Sequence, residues 1–275
     1  MWRLIRYENF DGATNMAIDE AILESHIRGD TPPTLRFYGF KPEAISLGYA
    51  QKLDDALSKR LKQSKYALVR RPTGGRAVLH AGDLTYSFVG SSVASSLTPD
   101  TAGSIDRQTR GFLDQSVSKA YKQICAGLIE GLQMLGLSSD LGASHVNYRD
   151  VHDCFLAATG ADLQVKGLKL VGSAQLRRRH GVLQHGSILL DQEQEIMANI
   201  CSPEAVLVAA SAKKEERLSH HANLFELIEK RPISEIEEAL IAGFCKAFGT
   251  TFETTGLTSA EKDFVEIAKH RYLLL

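Results

Sequence analysis

The sequence has no closely spaced cysteine pair, no long hydrophobic run and almost no net charge. Each absence removes a class of function. The four cysteines, Cys125, Cys154, Cys201 and Cys245, form no CxxC pair, which argues against a cysteine metal site and a disulfide framework. Reduced thiols are expected. No window approaches the roughly 18 consecutive apolar residues of a membrane span. The first residues, Met1 to Asn9, lack the apolar stretch of a secretory signal. We therefore expect a cytoplasmic protein with no membrane partner. A formal net charge of -1 gives no reason to expect a nucleic-acid partner, and any basic patch must be local.

What is present suits a soluble globular protein. Apolar residues make up 44% and charged residues 24% of the 275 residues, enough for an ordinary core in one large domain with a modest appendage. Residues 15–28 carry a broad apolar stripe and predict a helix that stops at Gly29. Pro32 and Pro33 break the chain, and short β-like runs follow at 34–38, 44–47, 66–70, 77–80 and 84–89. The Ser-, Thr-, Gly- and Asp-rich residues 91–113 read as a long mobile loop. The helical period is clearest over 117–135, where Cys125 falls on the apolar stripe as a small core residue. A polar stretch, 138–153, leads to Cys154. A hairpin then runs through 161–165, a Lys166-Gly167 turn and 168–177, with a basic turn and a further strand at 182–190. Beyond 191 the pattern is helical. Capping boxes are expected at Ser234 with Glu237 and at Thr258 with Glu261. Cys245 is expected to pack in this region, and Cys201 has no evident role.

Helix, strands, long helix, strands and helices in that order predict an α+β fold. We expect a mixed, mostly antiparallel central sheet with flanking helices. Residues 1–190 would form the catalytic domain, and 191–275 a small helical extension packed on it.

Three segments carry candidate chemistry. In Arg70-Arg71-Pro72-Thr73-Gly74-Gly75-Arg76-Ala77-Val78-Leu79-His80, adjacent glycines let the backbone approach a ligand and expose its N–H groups. The flanking arginines are able to grip an anion or a carbonyl. A tight turn with solvated arginines fits these residues equally well. In Lys169-Leu170-Val171-Gly172-Ser173-Ala174-Gln175, alternation sets Lys169 on the opposite face from Leu168 and Leu170. Lys169 is then either functional or snorkelling to the surface. The third segment, Gln184-His185-Gly186-Ser187-Ile188-Leu189-Leu190, places a histidine just before a buried run. Alone, such a histidine is more often structural than catalytic. The basic run Arg177-Arg178-Arg179-His180 is either a solvated hairpin tip or a patch that steers an acidic partner.

Taken together, Arg-Arg-x-Thr-Gly-Gly-x-x-Val-x-His, Lys-x-x-Gly-Ser-Ala and His-Gly-Ser-Ile-Leu-Leu resemble the lipoate-protein ligase/biotin ligase catalytic-domain superfamily. The resemblance runs from about Pro33 to about Leu190. Within the superfamily the segments are most similar to the LipM-type octanoyltransferases. The ATP-using ligases carry a third glycine where this chain has Arg76, and a large charged side chain there would crowd a nucleotide. The octanoyltransferases also carry an acyl-bearing cysteine at the spacing of Cys154 from Lys169. Here Leu156-Ala157-Ala158-Thr159 is more apolar than that pattern.

The resemblance implies Cys154 as acyl-thioester nucleophile and Lys169 as the group that lowers its pKa and orients the carbonyl. It implies an acyl and pantetheine pocket lined by Arg71, Thr73, Gly74, Gly75, Arg76, His80, Gly172, Ser173, Ala174 and His185. Backbone N–H groups near Gly74–Gly75 or Gly172–Ser173 would stabilise the oxyanion. The implied donor is octanoyl on the phosphopantetheine of acyl carrier protein. The implied acceptor is a lysine of a lipoyl-domain protein such as glycine cleavage H protein, with no metal and no bound cofactor. The chemistry is self-consistent. A free thiol has a pKa near ~8.5, and a neighbouring ammonium group favours the thiolate. Three other readings stand beside it: an ATP-dependent lipoate ligase, a lipoyl-domain-to-lipoyl-domain amidotransferase, and a non-catalytic module that holds a lipoyl domain or carrier protein.

Overall fold

The computed structural model describes residues 1–92, 112–142, 162–192, 195–201 and 221–274. Cys154, most of the expected 91–113 loop and most of the polar stretch before Cys154 lie outside these. In chain order the elements are β1 (Trp2–Phe10), α1 (Gly12–Ile27), β2 (Thr34–Phe40), β3 (Ala44–Leu47), α2 (Asp55–Gln63), β4 (Ala67–Arg70), β5 (Val78–His80), β6 (Asp83–Ser91) and α3 (Val117–Met134). After these come β7 (Asp140–Leu141), β8 (Leu163–Val165), β9 (Leu168–Arg178), β10 (Gly181–Leu189), α4 (Glu195–Cys201), α5 (Leu224–Leu227), α6 (Ile233–Phe248), β11 (Phe252–Thr254) and α7 (Ser259–Ala268). A 3-10 turn, Lys269–Tyr272, follows α7.

Among the described residues there are two sheets. The larger has eight strands in the order β11-β1-β2-β6-β10-β9-β8-β7, and the smaller runs β4-β3-β5. β1 pairs in parallel with both β2 and β11, whereas β2, β6, β10, β9, β8 and β7 pair antiparallel in turn. The expected mixed, mostly antiparallel α+β fold is what forms.

Each face of the large sheet buries a helix layer. On one face Phe37, Phe88, Val182 and Ile188 pack with Leu128 and Leu132 of α3 and with Leu240 and Phe244 of α6. On the other face lies α1, whose Ile22 and Leu23 are fully buried. Each such side chain contributes roughly 1.5–3 kcal/mol of burial free energy. Helix α1 is enclosed on nearly every side, because α7 and the 3-10 turn cover the face turned away from the sheet. Asp11 caps its start by accepting from the Thr14 amide at 2.9 Å. Gly29, at φ +80°, follows its end as expected. A third core, with Ile45, Leu47, Leu57, Leu61, Leu79, Met197 and Cys201, joins the small sheet to α2 and α4.

Among the described residues beyond 191 the regular elements are helical except for β11, which adds an edge strand to the large sheet. Its last residues return to the small sheet, where the Leu274 amide donates to the Leu68 carbonyl at 3.1 Å. The capping box at Thr258 and Glu261 forms. The same Glu261 carboxylate takes the buried Arg3 guanidinium through two bonds of 2.8 and 2.7 Å, tying α7 to β1. The box expected at Ser234 and Glu237 does not form. Pro232 is the N-cap of α6, and Glu237 instead turns to β1, accepting from the Tyr7 amide at 2.8 Å and pairing with Arg6. A long-range partner outcompetes the local cap. Among the described residues no helix is long and apolar enough to cross a membrane.

Candidate active site

Antiparallel register builds one wall of a cleft. Across β2, β6, β10 and β9, Tyr38, Thr85, Ser187 and Gly172 stand in one row, and Arg36, Ser87, His185 and Ala174 in the next. Residues in a row share a face, because side chains alternate along each strand. The small sheet supplies the opposite wall, with Ser46 beside Val78 on β3 and β5 and His80 one step along. Met16 of α1, Phe40 and Arg71 complete the lining. The cleft encloses about 390 Å³, including the part open to solvent. Half of its lining residues are polar, yet the surface they present is mostly carbon, because their polar atoms bond to one another.

Two histidines organise these bonds. His185 Nδ1 donates to Asp19 Oδ2 at 2.8 Å, and its Nε2 accepts from Thr73 Oγ1 at 2.6 Å. A carboxylate only accepts, so the partner fixes the tautomer. Asp19 also receives Arg36 at 2.7 Å and the Tyr38 hydroxyl at 2.8 Å. Burial alone would raise the Asp19 carboxyl. The hydrogen bond from His185 and the nearby Arg36 charge hold it below the usual carboxylate range. Burial pushes the His185 imidazole down, against the pull of Asp19. His80 is held in the same manner: Nδ1 donates to Asp83 Oδ2 at 2.8 Å, and Nε2 accepts from Ser46 Oγ at 2.9 Å. Its ring stacks on Phe40 at 3.8 Å between centroids. Asp83 further accepts from Ser187 at 2.6 Å and Thr85 at 3.1 Å.

The glycine turn is held by its arginines. Arg71 donates to the carbonyls of Ser46, Gly74 and Arg76 at 2.7–3.0 Å and to Ser46 Oγ at 3.1 Å. Arg70 donates to the carbonyls of Gly48, Tyr49 and Gln51. Both guanidiniums are thus held by atoms of the chain itself. Gly75 takes φ +101°. Its carbonyl lies so close to Gly48 that a Cβ there would meet it at 2.0 Å, so both positions require glycine.

Lys169 reaches its place through a register shift. Leu163 pairs with Val171, but Gln164 pairs with Lys169, leaving Leu170 as an extra residue in β9. Leu170 and Val171 therefore both enter the core with α3. Lys169 faces the other way, as alternation from Leu168 and Leu170 predicts. It is 1% exposed, and its Nζ lies 3.0 Å from Asp162 Oδ2. The buried Lys169 does not snorkel.

Of the residues expected at the pocket, Arg71, His80, Gly172, Ser173, Ala174 and His185 line the cleft. Thr73, Gly74, Gly75 and Arg76 are not among its lining residues and form the turn that follows Arg71. Cys125 is a core residue as expected, and burial pushes its thiol up to about 12. Cys201 belongs to the small-sheet core, and Cys245 packs against the larger one. The basic run is largely occupied within the chain. Arg177 donates to carbonyls of residues 114–116, and Arg178 pairs with Glu20 and Glu24 of α1.

The lipoyl protein ligase A/B catalytic domain family matches residues 11–245. The chain belongs to this family. Octanoyltransferase LipM of Kyrpidia tusciae is 37% identical, with 99% of this chain and 96% of the relative covered. The protein of the same name in Clostridioides difficile is 31% identical, with 98% and 96% covered. Among solved structures, lipoate-protein ligase A bound with ATP superposes with a TM-score of 0.72 at 23% identity, covering 98% of this chain and 94% of the other. A bipartite lipoate protein ligase from Thermoplasma acidophilum gives 0.71 at 23% identity, covering 98% and 92%. These two likenesses establish the ligase-type fold.

Within this family fold, the residues that sequence reasoning passed over are Asp19, Arg36, Tyr38, Ser46 and Asp83. Asp83 stands three residues after His80, a spacing that a tight β-turn brings together. Ser46 interrupts an apolar run, Ala44-Ile45-Ser46-Leu47, and a polar residue in a buried strand needs a partner. Asp19 and Arg36 had no local signal, since their pairing depends on how α1 lies on the sheet.

Proposed function

We propose that this chain is an octanoyltransferase of lipoate biosynthesis that carries its acyl group as a thioester on Cys154. The family and the near-full-length relatives support an acyltransferase. The observation that carries the finer reading is a carbon-surfaced cleft lined in part by Gly172, Ser173 and Ala174 of β9, the strand that also carries the buried Lys169. A hydrocarbon chain suits such a surface. In this reading octanoyl arrives on the phosphopantetheine of acyl carrier protein, in the cytoplasm, and leaves on a lysine of a lipoyl domain such as that of glycine cleavage H protein.

The chemistry needs two steps. The Cys154 thiolate bonds to the acyl carbon, and the phosphopantetheine thiolate leaves with a proton. The acceptor amine then bonds to the same carbon, Cys154 leaves as thiolate, and an amide remains. One thioester replaces another and then gives an amide, so no bound cofactor is required. Lys169 supplies an ammonium group that favours the thiolate and orients the carbonyl. Asp162 holds that side chain at a fixed place. Arg71 positions the Gly74–Gly75 turn, whose N–H groups would receive the oxyanion.

The test is exposure of the purified protein to octanoyl-acyl carrier protein without ATP, followed by intact mass. One octanoyl adduct is expected, labile to neutral hydroxylamine, absent from Cys154→Ala and discharged by H protein. Equal hydroxylamine-labile labelling of Cys154→Ala would overturn the Cys154 route. Transfer that proceeds only from free octanoate with ATP would replace it with the ligase reading.

A further inference from the structure

The two histidine chains differ in one respect that points to chemistry. Each has the bonding order carboxylate, imidazole Nδ1–H, imidazole Nε2 and hydroxyl: Asp19–His185–Thr73 and Asp83–His80–Ser46. That order activates a serine nucleophile on several unrelated folds, and it is recognised by geometry rather than by sequence position. Both hydroxyl residues are buried, Thr73 at 0% and Ser46 at 1% exposure, and Thr73 does not line the cleft. Ser46 does line it, on the small-sheet wall opposite Gly172 and Ser187.

We propose that Ser46 is a second nucleophile of this cleft, able to take an acyl group from an activated ester as an oxyester. The proposal rests on the cleft being an acyl site, but it does not involve Cys154. Four observations support it. The Ser46 hydroxyl has its acceptor in place, His80 Nε2 at 2.9 Å. The imidazolium formed when that proton moves is stabilised by Asp83 at 2.8 Å. The Arg71 guanidinium donates to Ser46 Oγ at 3.1 Å, which favours negative charge developing on that oxygen. Phe40, stacked on His80, keeps the ring from turning away from Ser46.

The step balances as follows. Ser46 Oγ bonds to the acyl carbon, and its proton passes to His80 Nε2. The bond from the acyl carbon to the leaving oxygen breaks, and the leaving group departs with the electron pair. His80 then returns its proton to the departing anion or to water. Attack of water on the oxyester, with His80 again taking the proton, releases the free acid and restores Ser46. The consequence is a slow esterase activity alongside acyl transfer.

Cys154→Ala, full length, exposed to p-nitrophenyl octanoate provides the test. A burst of p-nitrophenolate and a single octanoyl adduct are expected. Peptide mapping should place the adduct on Ser46 and none on Thr73, which has the same bonding but no face on the cleft. The adduct should resist neutral hydroxylamine. Adding Asp83→Asn should slow labelling on the order of 100-fold. Adding Ser46→Cys should keep the adduct at residue 46 and make it hydroxylamine-labile, a gain that a misfolded variant would not show. An adduct on any other side chain, or no adduct on a Cys154→Ala protein with native circular dichroism, overturns the proposal. Failure of the Cys154 route reads out separately, as loss of the hydroxylamine-labile adduct from carrier protein in the wild type.

Discussion

The two walls of the cleft solve the same problem in different surroundings. Each must bury a histidine, and each does so by giving both ring nitrogens a partner. On the large-sheet wall the chain closes inward, with Asp19 and Arg36 forming a desolvated ion pair at 2.7 Å beneath His185. The chain through His80 of the small-sheet wall starts instead from Asp83 on β6 of the large sheet, whose other partners are hydroxyls, and it ends on Ser46, which lines the cleft. The lesson is that hydrogen-bonding order alone does not separate structure from chemistry. What lies at the open end of the chain does.

Substitution can break this contrast. The largest effect is expected for Asp19→Ala, which leaves the buried Arg36 charge without its counter-ion and should lower stability by about 3–5 kcal/mol in chemical denaturation. A loss no greater than that from Asp83→Asn would mean the two walls are alike. Asp83→Asn removes charge from three hydrogen bonds but leaves no unpaired cation, so about 1–3 kcal/mol is expected by the same measurement. Ser46→Ala leaves the buried His80 Nε2 without its donor, so about 1–3 kcal/mol is expected there as well. A larger loss would make Ser46 a structural residue first.

The smallest perturbation is a single proton. His185 has its folded-state pKa lowered from 6.5, so between the two values the unfolded chain binds more protons. Stability from this group is fully present above about pH 6.5 and declines as the pH falls below it. Asp19 acts in the same direction below 3.8, since its pKa is also lowered on folding. Denaturation midpoints that rise on acidification from pH 7 to 5 would contradict the buried, neutral His185.

Much of this was legible in the chain, and what was not has a physical reason. Strand β3 was bounded as found, since Pro42 and Gly48 punctuate it. The Lys166-Gly167 hairpin and α3 were equally plain, one from its turn residues and the other from its period. Strand β1 was missed because Arg3 and Arg6 break its alternation, and only the distant Glu261 and Glu237 explain why those charges are tolerated there. Helix α2 was passed over although Asp54, Leu57 and Leu61 supply a cap and one apolar edge. The motif segments located most of the cleft lining. They did not reveal the carboxylates behind it, because a buried ion pair between residues 17 apart follows from tertiary packing, not from local pattern.

The register shift at Leu170 carries a lesson about parity. In an unbroken strand, residues on one side are separated by even numbers. Lys169 and Gly172 stand an odd number apart, yet both fall on the side of the sheet away from α3, because β9 contains one supernumerary residue. An odd interval between a charged residue and a small one, in a strand that otherwise alternates, is thus a written trace of the irregularity. One residue added to or removed from those two intervening positions would invert the lysine without touching it.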